Sequence, residues 1–308
     1  MRPKIVVVGS ANTDMVIQTQ NLPEPGETVL GGDYIQSQGG KGANQAVAAA
    51  RLGAEVTFIA RLGRDILGDA ALVAYIADGI NIEHIIRDDN SPSGVALIMV
   101  NNSGENIIAV APGANWKLSP ADVFASEKAI EDANCLLVQL EIQLETAQAA
   151  IQLAVKHHVP VILNPAPAIQ LPASMLEMVD YLTPNQSEMA ILVGDPSLAD
   201  ASNSFDILKS KIKAKNIIVT QGENGAKILG AQNKIVAAFP VCAIDTTGAG
   251  DAFNGGLAVA LARGDILIDA IKFANAVAAL STTRAGAQPS MPTINAVEAF
   301  IRLNKFDG

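Results

Sequence analysis

Short apolar runs that alternate with helical stretches constrain this chain most. Lys4–Gly9, Cys135–Leu140, Val159–Leu163 and Ile217–Thr220 have strand length and are separated by segments of helical length. Aromatic residues make up only 4% of the sequence, while small and branched aliphatic residues dominate, which is typical of parallel strands buried on both faces. The pattern predicts one α/β domain over residues 1–308, a three-layer α/β/α fold with a mostly parallel central sheet.

Two stretches depart from this alternation. Val29–Gln36 and Ser93–Met99 with Asn106–Val110 are short, strand-like and set off by prolines and glycines. They predict an antiparallel patch outside the main sheet. We expect a small β-sheet lid formed by discontinuous segments, about 12–38 and 92–112.

Charge and cysteine content exclude several classes of function. The formal net charge is −10, which argues against a nucleic-acid partner because such proteins carry a basic stripe. Cys135 and Cys242 are the only cysteines, so a disulfide framework is not expected and a reducing compartment fits. The apolar run that ends at Val8 is too short for a signal peptide, and no run reaches transmembrane length. We therefore expect a cytoplasmic protein with no membrane partner.

A glycine-rich stretch from Asp245 to Gly256 leads directly into a predicted helix. Gly248, Ala249 and Gly250 allow several backbone N–H groups to turn towards one point, and the helix start adds unpaired N–H groups and a positive dipole end. Such a place binds an anion, commonly phosphate. Two interpretations of Asp251 stay open here: a base beside a phosphate cradle, or a carboxylate that only favours the first helical turn.

Polar side chains follow several predicted strands. In a parallel sheet these positions share one edge, where open α/β sheets bind ligands. Asn185 and Glu188 lie on one face of a predicted helix, Asn185–Val193, and suit magnesium-bound water and phosphate oxygens; a first-turn carboxylate favoured by the dipole is the alternative for Glu188. A further helix is predicted over Phe205–Ile212. The polar residues at this edge are Asn12, Asp14, Glu141, Asn164, Asn185, Glu188 and Thr220.

A second glycine-rich stretch, Gly39–Asn44, precedes a helix predicted to run to Leu52. It is not a P-loop, because Lys41 is followed by glycine where serine or threonine would bind magnesium. Lys41 and Asn44 are three residues apart and so share one helix face, where they could hold a polar ligand. A glycine turn with a solvated lysine remains the alternative.

These motifs together resemble the ribokinase-like carbohydrate and nucleoside kinases. The resemblance runs from end to end, and its two signatures are the stretches Gly39–Ala46 and Asp245–Gly255. Pro112–Asn115, Gln139–Glu141 and Arg284–Ser290 point to the branch that phosphorylates ribose. The resemblance implies transfer of phosphate from ATP to the 5-hydroxyl of D-ribose. Another acceptor on the same fold (fructose, 2-keto-3-deoxygluconate or an adenosine-like nucleoside) stays open, as does a non-catalytic sugar sensor.

The resemblance also implies a role for individual residues. Asp251 would be the general base, a role for which a carboxylate of ordinary pKa suffices. The anion hole would be Gly248, Ala249 and Gly250, and the sugar would be held by Asn12, Asp14, Gly40, Lys41, Asn44, Glu141 and Asp251. ATP would be bound by Asn185, Thr220, Gly222, Glu223, Asn224, Gly225, Gly250 and Asn275. Mg²⁺ would lie near Glu188, and K⁺ near Asp245, Thr247, Ser281, Arg284, Gly286 and Ser290. The lid would also form a homodimer.

Overall fold

The computed structural model describes residues 2–194, 212–229 and 233–304. The helix predicted over Phe205–Ile212 lies, apart from its last residue, outside the described residues. Within those three ranges no helix has the length and apolar character needed to cross a membrane.

A nine-stranded sheet forms the centre of the molecule. Its order is β13-β12-β11-β10-β9-β8-β1-β4-β5, and every neighbouring pair is parallel except β11-β12 and β12-β13, which are antiparallel. This confirms the predicted mostly parallel sheet. The strands are β1 Lys4–Val8, β4 Glu55–Gly63, β5 Ile85–Asp88, β8 Cys135–Val138, β9 Val161–Leu163, β10 Tyr181–Leu182, β11 Asn216–Thr220, β12 Ala226–Leu229 and β13 Lys234–Val236.

Helices cover both faces of this sheet. Alternate residues of β1 enter different cores: Ile5 and Val7 pack into one hydrophobic cluster, and Val6 and Val8 into the other. A continuous apolar strand is therefore required here, because both faces lie in the interior. The helices of the described residues are α1 Lys41–Arg51, α2 Ile66–Ala77, α3 Pro120–Ala125, α4 Glu127–Glu131, α5 Leu144–Lys156, α6 Ala173–Leu176, α7 Gln186–Leu192, α8 Ala249–Ala262, α9 Leu267–Ser281 and α10 Ile294–Leu303.

A separate four-stranded sheet has the order β3-β2-β6-β7. It corrects the sequence prediction in two respects. The pair β2-β6 is parallel, so the patch is not wholly antiparallel. The strand predicted over Val29–Gln36 instead begins at Tyr34 and runs to Gly39. Before it, Gly32 and Asp33 bond Gln18, the last residue of β2. The strands are β2 Asn12–Gln18, β3 Tyr34–Gly39, β6 Gly94–Val100 and β7 Asn106–Ala111.

The strand β2 places Asn12 and Asp14, which sequence reasoning put in a loop after β1. Both residues pair on two sides: Asp14 lies opposite Ser37 of β3 and Ala96 of β6. The polar run that begins at Asn12 is thus held extended by backbone pairing on both sides, with Asn12 and Thr13 buried. These two side chains reach the candidate site from the small sheet, not from the edge of the large one.

Candidate active site

Helix α8 begins at Ala249, so the predicted glycine loop is partly its first turn. Gly248 occupies the N-cap with φ 75°, a left-handed conformation that glycine adopts without steric cost. No side chain of the described residues caps this helix, and its first-turn N–H groups have no intrahelical acceptors. The N–H of Ala249 donates to Thr246 O at 3.1 Å. Glycine is thus the residue this turn favours.

Asp251 lies in the first turn of α8 and is buried, with 6% of its surface exposed. Its carboxylate faces α1 instead of capping its own helix. Asn44 Nδ2 donates to its Oδ2, and Gln45 Nε2 to its Oδ1, both at 2.9 Å. The carboxylate is therefore fixed in one orientation by two side-chain amides, which is not the arrangement of a simple N-cap.

The pKa of Asp251 lies above that of an ordinary aspartate. Burial raises the pKa of this carboxyl, and the charge of Glu141 adds to the rise. Lys41 and the amides of Asn44 and Gln45 oppose it by favouring the ionised form. A raised pKa makes the carboxylate a stronger base than a solvated aspartate.

Other charged groups surround Asp251. Burial raises the pKa of Asp14 to about 6, with Glu141 and Asp251 as further causes. Burial alone would lower the pKa of Lys41, but Asp251, Glu141 and Glu188 together raise it. Helices α1, α7 and α8, the loop after β8 and one strand of the small sheet thus bring four carboxylates and one ammonium group together. The region is a polar, negatively charged recess that suits a ligand rich in hydroxyl groups.

Glu141 and Lys41 are also joined through the backbone. The Oε2 atom of Glu141 accepts from Lys41 N at 3.0 Å and from Ser10 Oγ at 2.5 Å. The carboxylate thus sits at the N-terminus of α1, where the helix dipole stabilises a negative charge. Ser10 was not recognised in the sequence as part of the site.

Asn12 is held by a residue whose role the sequence did not reveal. Asn115 donates from Nδ2 to Asn12 Oδ1 at 2.7 Å, and it bonds both the N–H and the carbonyl of Ala11. These contacts fix the amide of Asn12 with its NH₂ group directed away from Asn115. Gly94 packs against the pair, since a Cβ at that position would lie 2.2 Å from Asn12 Oδ1. The sequence singles out the motif Pro112–Asn115 but indicates no role for Asn115.

The two remaining sugar-side predictions lie in the same region. Gly40 caps α1 with φ 87° and packs against the backbone of Ala11 and Asn12. Asn44 is buried, and its Oδ1 has no hydrogen-bond partner within the described part of the chain. A buried acceptor without a donor is costly. It is the atom that a ligand hydroxyl would satisfy.

A cavity of about 720 Å³ opens on the other side of the α8 N-terminus. Most of the residues that the resemblance assigned to ATP line it: Thr220, Gly222, Glu223, Asn224, Gly225, Gly250 and Asn275. Asn275 donates from Nδ2 to Val236 O at 2.9 Å and Ala237 O at 3.0 Å, so its NH₂ group holds the cavity wall in place. Asn185 does not line the cavity but bridges to Thr220 beside it.

Apart from Ala249, which was predicted for the anion hole, sequence reasoning missed the rest of this wall. These residues are mostly small or apolar, and nothing in their spacing separates them from ordinary core residues. Gly250 lines the cavity while its neighbour Asp251 faces the polar recess, so the two compartments meet at one turn of helix. The additional lining residues are Ala238, Phe239, Pro240, Val241, Ala243, Thr246, Ala249, Phe253, Ala278, Ala279 and Thr282.

Asn185 and Glu188 form a capping box at the start of α7, each side chain accepting from the other's backbone N–H at 2.8 Å. Burial raises the pKa of Glu188, against the influence of the Asn185 bond and of Lys41. The hydrogen bonds of Asn185 and Glu188 are therefore those of helix capping, the alternative that the sequence left open for Glu188. The charges of Lys41 and Asp251 nonetheless act on the pKa of Glu188, and Glu188 in turn acts on the pKa of Lys41.

Asp245 joins the glycine loop to the segment after α9. Its oxygens accept from Thr247 N at 2.9 Å and Gly286 N at 2.7 Å. Burial alone would raise its pKa, but these hydrogen bonds hold the pKa below its ordinary value. The carboxylate therefore stays ionised beside the C-terminus of α9, where Ser281 is the last helical residue and backbone carbonyls carry partial negative charge.

The remaining predicted potassium ligands lie on the segment that Asp245 contacts. Arg284 N donates to Ser281 O at 3.3 Å, and Ser290 Oγ donates to Ala287 O at 2.8 Å. Carboxylate, hydroxyl and carbonyl oxygens fit a hard monovalent cation. No cluster of three or more histidine, cysteine, aspartate or glutamate side chains able to hold a metal occurs in the part of the chain that the structure describes.

Comparisons with known proteins agree with this arrangement. Residues 2–294 match the model of the pfkB family carbohydrate kinases. The chain is 43% identical to a ribokinase of Haemophilus influenzae over 297 residues, 95% of this chain and 96% of that protein. It is 37% identical to a deoxyribokinase of Salmonella typhimurium over 309 residues, 98% and 99% of the two chains. The structure of Arabidopsis thaliana ribokinase complexed with ribose and ATP superposes with a TM-score of 0.89 at 31% identity, covering 98% of this chain and 99% of that one.

Proposed function

The chain belongs to the pfkB family of carbohydrate kinases, and from this we propose that it transfers the γ-phosphoryl group of ATP to the 5-hydroxyl of D-ribose. One observation carries the proposal: adjacent residues of one helical turn, Gly250 and Asp251, face a nucleotide-sized cavity and a polar recess respectively. Phosphoryl transfer needs this placement, since the acceptor hydroxyl must meet the γ-phosphate in line.

In the proposed mechanism Asp251 accepts the proton of the 5-hydroxyl as the oxygen attacks phosphorus. The backbone N–H groups at Gly248, Ala249 and Gly250 stabilise the charge on the transferring group; each such donor is worth about 10²-fold in rate. The N–H of Ala249 already donates to Thr246 O. The N–H groups of Gly248 and Gly250 therefore contribute more to stabilising the transferring group. Water is excluded when the small sheet closes over the sugar.

The ribose hydroxyls are held by the recess. Asp14 and Glu141 accept from them, the fixed NH₂ group of Asn12 donates, and the unpartnered Oδ1 of Asn44 gains a donor. Lys41 and the backbone at Gly40 complete the set. A site that bonds a hydroxyl rejects the analogue lacking it by up to about 10⁴-fold. We therefore expect ribose to be preferred over 2-deoxyribose.

ATP is held by the cavity, with Thr220, the turn Gly222–Gly225 and the wall supported by Asn275. Glu188 and Asn185 would hold Mg²⁺ through bound water; the ion would neutralise charge on the phosphate oxygens. Asp245 would hold K⁺ with the carbonyls of Thr247, Ser281, Arg284 and Gly286 and with Ser290. That cation would act on the glycine loop through Asp245 without touching substrate.

We also propose a homodimer through the small sheet, which serves as the lid. All six residues of its edge strand β7 are exposed. In this strand Ile107, Ile108 and Val110 have 45–54% of their surface exposed. Leu97 of β6 and Tyr34 of β3 are 56% and 57% exposed. An exposed apolar edge strand pairs readily with a second copy. Ile108→Lys should therefore yield a monomer in light scattering, while an unchanged oligomer would reject this interface.

One assay tests the function and its closest rivals. ADP release is measured with ribose, 2-deoxyribose, fructose and adenosine as acceptors, in matched potassium and sodium buffers. We expect the highest kcat/KM with ribose, little ADP release without sugar, and a large loss of rate in sodium. Equal kcat/KM for ribose and 2-deoxyribose would refute the proposal that Asp14 and Asn12 recognise the sugar through hydrogen bonds to its hydroxyl groups. Equal rates in the two salts would refute the potassium site.

A further inference from the structure

A buried amide that was not among the predicted site residues lies directly behind the proposed base, Asp251. Gln45 follows Asn44 on α1 and has no exposed surface. Its Nε2 donates to Asp251 Oδ1 at 2.9 Å and to Asn164 Oδ1 at 3.0 Å. Its Oε1 accepts from Gln139 Nε2. Both amide hydrogens and the carbonyl oxygen are therefore used, and the side chain has a single allowed orientation.

The network continues from Gln45 to the backbone of the glycine turn. Asn164 Nδ2 donates to Thr183 O at 3.2 Å, and Thr183 Oγ1 donates to Asn254 Oδ1 at 2.6 Å. Asn254 Nδ2 in turn donates to Gly250 O at 2.8 Å. Asn164 and Thr183 directly follow the strands β9 and β10, so the network rests on the rigid sheet. One set of side chains thus fixes both the base and the backbone beside it.

From this geometry we infer that Gln45 is a positioning residue for the phosphoryl-transfer step, which orients the carboxylate of Asp251 towards the acceptor hydroxyl and keeps it ionised. The inference rests on the proposed function. Asn44 also bonds Asp251, but its unpartnered Oδ1 places it in the sugar recess. Gln45 is one residue further along α1 and bonds Asn164 and Gln139, which follow β9 and β8. Among the residues proposed to touch substrate it bonds Asp251 alone.

The charges around Asp251 determine how removal of the Gln45 amide would change the pKa of this carboxyl. Three carboxylates disfavour the ionised form of Asp251: Asp14 from β2, Glu141 after β8 and Glu188 from α7. Lys41 from α1 favours the ionised form. Burial already raises the pKa of Asp251. A donor to a carboxylate lowers the pKa, so removal of the amide raises it further. The acidic limb of the kcat profile then moves to higher pH.

The test compares Gln45→Met with Thr146→Val as a matched control. Thr146 is equally buried and donates from Oγ1 to Leu118 O at 2.7 Å, on the opposite face of the sheet, so its loss removes a buried hydrogen bond away from the site. Initial rates are measured from pH 5 to 9 at saturating ATP, with the sugar that the wild type phosphorylates fastest. Sugar affinity is measured separately by calorimetry. A different preferred acceptor would thus overturn the ribose proposal and leave this comparison intact.

We expect Gln45→Met to lower kcat about 10- to 100-fold, the loss that a misplaced base produces, with sugar affinity within about threefold of the wild type. The acidic limb should move to higher pH only in this variant. Gln139→Leu keeps both hydrogen bonds that Gln45 donates and removes only the one that its Oε1 accepts, so it should lower kcat less. It serves as the second variant if Gln45→Met is unstable. An unchanged kcat and pH profile in Gln45→Met, or an equal loss of kcat in Thr146→Val, would overturn the inference.

Discussion

The two compartments that meet at the start of α8 are built in different ways. In the polar recess some side chains are held in place by others: Asp251 by Asn44 and Gln45, and Asn12 by Asn115. On the nucleotide side a cavity of about 720 Å³ is enclosed by glycine turns and mostly small or apolar residues. In the proposed function the first compartment would provide directional bonds to hydroxyl groups and a base, while the second would provide space and backbone groups.

This difference separates the expected effects of mutation. Substitutions in the polar recess should change kcat or sugar specificity by orders of magnitude, because they remove or misdirect a single bond. Substitutions in the cavity wall should change the KM for ATP by smaller factors, because many weak contacts share the binding. Each of the following predictions tests one side of this contrast.

The largest effect is expected at the base. Asp251→Asn keeps the size of the side chain but cannot accept the hydroxyl proton, so kcat should fall about 10²- to 10⁴-fold, the range of a positioned general base. Sugar affinity, measured by calorimetry, should stay close to that of the wild type. Asp265→Asn, at an exposed position after the same helix, is the control. Near-normal turnover in Asp251→Asn would remove the base assignment.

The next effect tests how closely the recess is packed. A Cβ on Gly39 would lie 2.2 Å from Asp14 Oδ2, so Gly39→Ala must push this carboxylate out of place. Displacement of a positioning group by about 1 Å costs on the order of 10²-fold, and we expect a loss of that size in kcat/KM for the sugar. Gly32→Ala meets nothing closer than 3.7 Å and should be neutral. Equal activity of the two variants would show that Asp14 tolerates displacement.

A smaller, pH-dependent effect is expected at Asp14, whose pKa is raised to about 6. As the pH falls below 6 the ionised fraction falls about tenfold per unit, and sugar affinity should fall with it. The raised pKa also means that the folded state is favoured below pH 4 and loses this stability as the pH rises through 6. Asp14→Asn should therefore abolish the limb near pH 6 and stabilise the protein at pH 7 by about 1–2 kcal/mol.

Calorimetric titrations and thermal unfolding at pH 4 and pH 7 check both parts of that prediction. The variant should unfold at a higher temperature than the wild type only at the higher pH, where the buried carboxylate is ionised. A sugar affinity that is flat between pH 5 and 7 in the wild type would contradict the role of this carboxylate.

The central fold was largely predictable because burial on two faces leaves a clear pattern. The strands β1, β8 and β9 were located to within two residues, since each must be apolar throughout. The strand β2 was not, because Asn12–Gln18 begins with polar residues and becomes extended only through pairing with β3 and β6. Long-range pairing of this kind leaves no local signal.

The polar recess and the cavity wall also differ in how far the sequence could reveal their residues. Polar residues such as Asp14, Glu141 and Asp251 could be named from the sequence, since a carboxylate after a strand or glycine turn stands out against an apolar background. The wall residues Phe239 and Ala278 could not, because they are indistinguishable from core residues until the cavity is seen. Asn115 was found only as part of a motif. The roles of all these residues remain predictions for the experiments above.

The smallest expected effect is in the cavity wall. Ala278 lies on α9 and lines the cavity, so Ala278→Leu narrows the space for the nucleotide without touching the polar recess. We expect the KM for ATP to rise about tenfold, equivalent to about 1.4 kcal/mol, the cost of modest overpacking, while kcat at saturating ATP and the KM for sugar stay within twofold or so. Ala299→Leu, at an exposed position on α10, makes the same change outside the cavity and should leave both KM values unaltered. A fall in kcat as large as the rise in KM would mean that the two compartments are coupled through α8 and α9, since a wall that provides only space cannot change the rate of a saturated enzyme.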